Sequence, residues 1–272
     1  HPSERRPEPR FVRPERNNNV LALEFPPINE ILRWRDLYEP AGLNKVALIS
    51  VFAALITIVI FLIASNQDGM KAPKGIRNVA ESMVEFIENQ IIMPTMGRDG
   101  LGWTPFMLSL FAFIYLCNLP GIIPIIYMPA TARIAIPLFL SLLVWVIFIG
   151  VGFKHQGPKY IKNSLMPPGV PGPLYILVIP IEFISTFLVR PFSLTVRLFA
   201  NMLAGHILLV TFSLLTEELI QSDTLALKPV AILPFFMLMI ITAFEVLVGF
   251  LQAYIFTILA AVYIGGAAHP EH

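Results

Sequence analysis

The sequence predicts an all-α integral membrane protein with about five membrane-embedded helical segments and one amphipathic helix at the membrane surface. Hydrophobic residues make up 56% of the 272 residues, charged residues make up 14%, and the mean hydropathy is +0.72. A soluble domain carries roughly 25% charged residues. Several long stretches contain no charge, and each could form a helix that crosses a bilayer.

The charge balance and the cysteine count exclude several other classes of protein. With 19 basic and 18 acidic residues the net charge is +1, which provides no basic field for nucleic acid. The single cysteine, Cys117, cannot support a disulfide scaffold or a Cys-rich metal site. We therefore expect no nucleic-acid partner, no metal and no cofactor.

Composition divides the chain into two parts. Residues 1–25 are charged and rich in proline and asparagine, which predicts a disordered amino-terminal arm. Residues 26–272 are expected to form one membrane domain. Its first span is 46–64, which is uncharged and long enough to cross about 30 Å of hydrocarbon. In 76–93, apolar residues recur at helical spacing opposite acidic residues, which predicts a helix lying along the membrane surface.

Two further spans and two longer segments follow. The spans are 106–128, which Asn118 and prolines interrupt, and 134–153. The longer segments, 174–215 and 229–264, would be roughly 60 Å and 50 Å long as helices, about twice the thickness of the hydrocarbon core. We expect them to be strongly tilted, bent or broken, and to form an antiparallel hairpin.

The loop charges favour one orientation in the membrane. Loop 65–102 carries four Lys or Arg residues and loop 154–173 carries three, whereas the loops on the other side carry one each. By the positive-inside rule these two basic loops are cytoplasmic and the amino terminus is outside. The arginines of the amino-terminal arm favour the reverse, but most of them lie far from the first span.

The two long segments contain ionisable or amide side chains at membrane depth, where such groups are costly and commonly mark an ion pathway. They are Glu182, Arg190, Arg197, Asn201, His206, Glu245 and Gln252. Arg197 lies near the middle of its segment, so its permanent charge is suited to block cations and to attract a carboxylate. For Arg190, beside Pro191, a structural salt bridge or a side chain reaching the headgroups remains an alternative.

His206 and Glu245 are candidate proton-relay groups, because both can exchange protons in an accessible pH range. The alternative is a buried structural pair. In an antiparallel hairpin that brings His206 to Glu245, Arg197 would lie near Gln252. The reason is that the spacing from Arg197 to His206 on one segment is similar to the spacing from Glu245 to Gln252 on the other. Arg197 and Asn201 share one helix face, and Glu245 and Gln252 share another.

Two sequence motifs resemble signatures of one family. The run VRLFANMLAGH at 196–206 resembles the signature of subunit a of F-type ATP synthases, bacterial type, and LQAYIFTILAAVYIG at 251–265 is similar to its final-helix signature. The resemblance extends over residues 25–272 and includes NLPGIIP at 118–124. It implies the proton-channel stator subunit of the membrane sector, with its last two helices packed against a ring of c subunits.

The resemblance also implies roles for individual residues. Arg197 would be the essential arginine facing the c-ring, and Asn201 and Gln252 would line the proton path beside it. His206 and Glu245 occupy positions that carry a glutamate and a histidine in some relatives, so the exchange is reciprocal. Glu182 resembles the acidic group of the cytoplasmic half-channel, but it lies one residue further from the arginine motif than in many relatives.

The implied partners are the c-ring, the b subunits of the peripheral stalk, the whole F-type ATP synthase and the lipid bilayer. The implied location is the cell membrane, with a bacterial plasma membrane favoured over the mitochondrial inner membrane. The sequence contains no GxxxxGK[ST] loop, so nucleotide chemistry would belong to other subunits. A secondary ion-coupled transporter with a midplane Arg/His/Glu site is the alternative function. An intramembrane hydrolase using Ser185 or Ser193 with His206 lacks a GxSxG motif.

Overall fold

The protein is a bundle of long apolar helices, which confirms the predicted all-α membrane fold. The computed structural model describes residues 36–38, 43–65, 76–123, 129–166, 172–222 and 227–268. The predicted disordered arm, 1–25, lies outside the described residues. A short antiparallel pair of strands, Asp36–Tyr38 (β1) and Leu43–Asn44 (β2), precedes the first helix.

Nine α-helices follow. They are α1 (Lys45–Ser65), α2 (Ile76–Ile87), α3 (Met93–Met96), α4 (Thr104–Asn118), α5 (Ala135–Gln156), α6 (Lys159–Leu165), α7 (Tyr175–Phe183), α8 (Arg190–Gln221) and α9 (Ile232–Ala268), as seen in the described part of the chain. Short 3₁₀ turns lie between several of them. Two π-helical segments, Glu88–Ile92 and Ile184–Val189, join α2 to α3 and α7 to α8.

Four continuous helical stretches are long and apolar enough to cross a membrane. They are Arg98–Gly121, Ala135–Gln156, Tyr175–Gln221 and Lys228–Ala268, and the shorter apolar helix Val46–Ile60 adds a fifth segment. The two last stretches contain 47 and 41 residues. At about 1.5 Å per residue they far exceed the roughly 30 Å needed to cross, as the sequence predicts.

Each π-helical segment ends two residues before a proline. Pro94 follows the segment ending at Ile92, and Pro191 follows the segment ending at Val189. A proline cannot donate to the carbonyl four residues earlier, and its ring crowds that carbonyl. Local π geometry widens the helix there, and the helical stretch continues past Pro191 without interruption. The predicted break in 174–215 is therefore a π-helical segment within one long stretch.

The core lies where α4, α5, α8 and α9 pack together, with the end of α2 against them. Along α9, the buried face carries the small residues Gly249, Ala253, Thr257, Ala260 and Ala261. Small side chains allow neighbouring backbones to approach closely, which stabilises helix packing in membranes. Large apolar side chains on the outer faces of α1, α8 and α9 are exposed, as expected for surfaces that meet lipid or a partner subunit.

Candidate functional site

The candidate site lies between α8 and α9, which pack against each other along much of their length. Two contacts fix their relative direction. The Glu245 carboxyl group on α9 lies against Gly205 on α8, so closely that a β-carbon at Gly205 would overlap it. The guanidinium carbon of Arg190 lies 5.0 Å from the centre of the Tyr263 ring. Residue numbers fall along α8 as they rise along α9, so the two helices are antiparallel.

This register gives the level of Arg197. Arg197 is seven residues from Arg190 and eight from Gly205. Interpolation between the two contacts therefore places it level with residues 254 and 255 of α9. Gln252 is two to three residues away, roughly 4 Å along the helix axis.

Arg197 stands at the edge of the packed face of α8. Its side chain is half-buried, whereas Leu194 and Leu198 on its inner side are buried. Val196 and Asn201 are exposed. An arginine at such a boundary can contact both the bundle and whatever covers its outer surface.

A hydrogen-bonding pair supports α8 close to Arg197. Ser141 Oγ on α5 and Thr195 Oγ1 on α8 are 2.6 Å apart, and both side chains are buried. Thr195 also donates to the Pro191 carbonyl at 2.8 Å. These contacts hold the arginine-bearing turn of α8 against α5.

His206 and Glu245 are both buried, with 5% and 7% of their surfaces exposed. His206 follows Gly205 directly in the chain, so the Glu245 carboxyl group packs against the residue next to it. The absence of a side chain at Gly205 creates the space for this carboxyl group. Sequence reasoning did not single out Gly205, although it lies inside the 196–206 motif.

The structure adds a buried amide between Glu245 and Gln252. Asn118, at the end of α4, is 1% exposed, and its Nδ2 donates to the Gly249 carbonyl of α9 at 3.4 Å. The Thr131 hydroxyl donates to Asn118 Oδ1. Gly249 lies one turn after Glu245 and one turn before Gln252, which is also buried. Asn118 and Thr131 were not among the predicted site residues, and the only sequence signal was an uncharged amide in an apolar span.

Glu182 lies apart from these groups, on α7 before the π-helical segment. Its side chain is half-buried, and it is separated from Arg197 by the π-helical residues and the first turns of α8. A π turn contains about one residue more than an α turn. The π-helical segment therefore accommodates one extra residue between Glu182 and Arg197.

Comparison with known proteins identifies the family. A family model described as ATP synthase A chain matches residues 47–265. The chain belongs to the ATP synthase subunit a family. It is 43% identical to ATP synthase subunit a of Frankia alni over 85% of this chain and 79% of that protein. It is 39% identical to the Nocardioides sp. protein of the same name, over 85% of this chain and 84% of that one.

A third relative is similar over nearly its whole length. ATP synthase subunit a of Brucella canis is 38% identical, with 89% of this chain and 96% of that protein covered. The matched range 47–265 includes both family motifs and every candidate site residue. The match to the family thus extends over the whole helical bundle and is not limited to a short motif.

Proposed function

We propose that this chain is the proton-translocating stator subunit of a rotary ATP synthase in a bacterial plasma membrane. Its membership of the subunit a family supports this role. The observation that carries the finer proposal is the antiparallel register of α8 and α9, in which Glu245 meets Gly205 and Arg190 meets Tyr263. That register sets Arg197 at about the level of Gln252, and it sets the buried Glu245 carboxyl group against Gly205, the residue next to His206.

Arg197 acts as the essential arginine that faces the c-ring. Its guanidinium stays charged at any physiological pH. In a medium of low dielectric constant it repels protons and attracts a carboxylate on a passing c subunit. The direct route between the two sides is thereby blocked, and protons cross only by travelling on the ring.

The outer half-channel runs along the buried polar groups between α4, α8 and α9. His206 and Glu245 pass protons to a c-subunit carboxylate along a path lined by the buried Gln252 and, at the outer surface, by Asn201, and the neutral acid can then turn into lipid at low cost. The close packing of the Glu245 carboxyl group on Gly205 supports the assignment of His206 and Glu245 as a relay pair.

The second half-channel opens to the cytoplasm near Glu182. After nearly a full turn of the ring, the acid loses its proton there and the carboxylate is drawn to Arg197. The π-helical segment supports this assignment, because it compensates for the one-residue longer spacing between Glu182 and Arg197. The membrane potential supplies about 2.3 kcal/mol per proton per 100 mV.

This subunit is not itself an enzyme in the proposed assembly. The c-ring covers the exposed face of α8 and α9 that includes Asn201, and the b subunits of the peripheral stalk hold the chain fixed. ATP chemistry belongs to other subunits, which agrees with the lack of a phosphate-binding loop motif in the sequence.

A secondary ion-coupled transporter is the competing function. Such proteins also place charges at the membrane midplane on interrupted helices. They usually do so in two matching halves, whereas the candidate ionisable groups here lie in the last two helical stretches alone. A transporter would move its ion without other subunits.

The test is Arg197→Ala in the complete membrane-bound complex. We expect ATP-driven acidification of inverted vesicles to be abolished, because the carboxylate is no longer drawn to the stator. Passive proton flow through the membrane sector should rise, because the fixed charge no longer blocks it. Arg133→Ala is the matched control, since Arg133 is an exposed arginine just before α5.

Retained coupled pumping in the Arg197 variant would contradict the proposal. So would proton transport by vesicles that contain this chain without c subunits, because that result favours a transporter. Loss of pumping in both the Arg197 and Arg133 variants would also count against it, since the effect would then not be specific to Arg197.

A further inference from the structure

The end of α5 and the short helix α6 carry a basic patch of three exposed lysines, Lys154, Lys159 and Lys162. In the chain, no acidic residue occurs between Asp99 and Glu182, so no neighbour in sequence neutralises these lysines. The basic patch is therefore a concentrated positive charge on the outer surface of the bundle.

The length of α5 places the basic patch at the membrane surface. Residues 134–153 are uncharged, and as a helix they are about 30 Å long, which is the thickness of the hydrocarbon core. Lys154 is the first charged residue after this span, and α6 follows a turn at Gly157, where φ is 60°. The ammonium groups of the lysines therefore lie at the level of the lipid headgroups.

The inner face of α6 is fixed to the bundle. The Tyr160 ring packs so closely on Gly152 of α5 that a β-carbon there would overlap it. Asn163 Nδ2 donates to Gln156 Oε1 at 3.1 Å, and Gln156 Nε2 donates to the Ala267 carbonyl at 2.9 Å. These contacts join α6 to the ends of α5 and α9, so its outer face stays turned away from the bundle.

This inner face belongs to the proposed second half-channel. Polar side chains of α6 line a cavity of about 620 Å³ together with Thr186 and Arg190. Thr186 follows Glu182 by one turn, so the cavity lies beside the acidic group of that half-channel. The three lysines are not among the described residues that line the cavity. The basic patch is thus a feature of the opposite, outer surface.

The outer surface combines basic and apolar side chains. Ile161, between Lys159 and Lys162 in the chain, is 43% exposed, and Phe153 at the end of α5 is exposed to the same extent. Exposed apolar side chains flanked by lysines are typical of a helix that lies in the membrane interface. The apolar stems of the lysines can lie along the hydrocarbon boundary while their ammonium groups reach the headgroups.

The directions of the lysines favour a lipid layer over a single protein partner. Gly152 faces Tyr160 of α6. Lys154 follows Gly152 by two residues, about 200° around the helix axis, so it lies on the side of α5 away from α6. Lys159 lies on α6 itself. A continuous layer of headgroups can contact charges on both sides of a helix end, whereas one protein surface would cover only one side.

We propose that the basic patch binds the headgroups of anionic phospholipids, with Ile161 inserted where the headgroups meet the acyl chains. Each lysine near an anionic membrane surface strengthens the attraction about fivefold. The measurable consequence is an excess of anionic over zwitterionic lipid around residues 154–165. Lipid contact does not require proton transport, so this proposal and the role of Arg197 can fail independently.

The test compares two photoreactive lipids in the complete complex. The complex is reconstituted into vesicles of phosphatidylcholine and phosphatidylglycerol in equal amounts. A photoreactive derivative of one or the other lipid is added, with its reactive group at the top of an acyl chain. Labelling of residues 154–165 is then measured by mass spectrometry. We expect the phosphatidylglycerol probe to label this segment about fivefold more than the phosphatidylcholine probe, or better.

Charge variants show whether the lysines cause this excess. The triple variant Lys154→Gln, Lys159→Gln and Lys162→Gln should bring the labelling ratio close to one, whereas arginine at the same three positions should maintain it. Lys228→Gln is the matched control. Lys228 is exposed but precedes α9, at the opposite end of that helix from Ala267. This variant should keep the ratio of the unaltered complex.

Two further measurements keep the test decisive if the triple glutamine variant does not assemble. In the unaltered complex, salt at about 1 M should bring the ratio close to one, because it screens charges over about 3 Å. Ile161→Ser should lower labelling by both probes, because the inserted side chain no longer holds α6 at the acyl-chain boundary.

Equal labelling by the two probes in the unaltered complex would overturn the proposal. A ratio that neither the glutamine variant nor salt changes would also overturn it. So would a segment 154–165 that neither lipid labels because an acidic surface of another subunit covers the lysines. Unchanged labelling in Ile161→Ser would overturn the insertion of Ile161.

Discussion

The Glu245 carboxyl group packs directly on the α-carbon of Gly205, in a space that exists only because Gly205 has no side chain. The contact joins the last two helical stretches at the level of His206. A residue that has no side chain therefore determines where an ionisable group can lie. The geometry of the proposed relay therefore depends on a glycine.

Gly205→Ala is expected to impair proton transport while leaving the helix intact. The new methyl group must displace the Glu245 carboxyl group, and a shift of about 1 Å in a reacting group can cost up to about 100-fold in rate. Alanine is favoured over glycine inside a helix by about 1 kcal/mol, so assembly should not suffer. ATP-driven acidification and the amount of assembled complex are the measurements.

Gly150→Ala is the matched control for that substitution. Gly150 lies inside the spanning helix α5, and a β-carbon there meets nothing within 4 Å. Its transport rate should equal that of the unaltered protein. Normal transport by Gly205→Ala would show that the position of the Glu245 carboxyl group does not matter.

Exchange of the two relay groups should preserve more function than loss of either one. We expect the double variant His206→Glu with Glu245→His to pump faster than each single variant, because a buried acid and imidazole remain together. Initial rates of ATP-driven acidification at several pH values provide the comparison. Equal loss in all three variants would contradict a relay pair.

The Asn118 bridge should stabilise the contact between α4 and α9. Asn118→Leu leaves the Thr131 hydroxyl and the Gly249 carbonyl without this buried partner, at an expected cost of about 1 to 3 kcal/mol. Thermal dissociation of the purified complex should therefore begin at a lower temperature. Combining Asn118→Leu with Thr131→Val should cost less than the sum of the two single changes, and simple additivity would argue against the bridge.

Removal of one residue from the π-helical segment should be tolerated. Deleting Leu188, an exposed residue in Ile184–Val189, allows that turn to become α-helical, and the flanking helices keep their relative rotation. Deleting Leu208, an exposed leucine within α8, rotates everything beyond it by about 100°. We expect pumping and assembly to persist only in the first variant. Equal loss in both would mean that the π-helical segment does not set the rotation of Glu182 about the helix axis relative to Arg197.

The sequence alone determined that this protein folds in a membrane and where its helices lie along the chain. The lack of charge over 46–64 and 134–153, and the excessive length of the last two segments, follow from composition and from 1.5 Å per residue. The same reasoning made Arg197, His206 and Glu245 candidate site residues, because a charge in an apolar run is visible without any structure.

Only the tertiary structure decided which surfaces meet. The packing of Glu245 on Gly205, the bridge through Asn118 and Thr131, and the cavity around Arg190 join residues that lie far apart in the chain. Helical periodicity gives the face of a residue on its own helix, but not the rotation or depth of its neighbour. The rotation and depth of the neighbouring helix are set by the packing of small residues along α9. The role of a glycine such as Gly205 depends on which side chain packs against it.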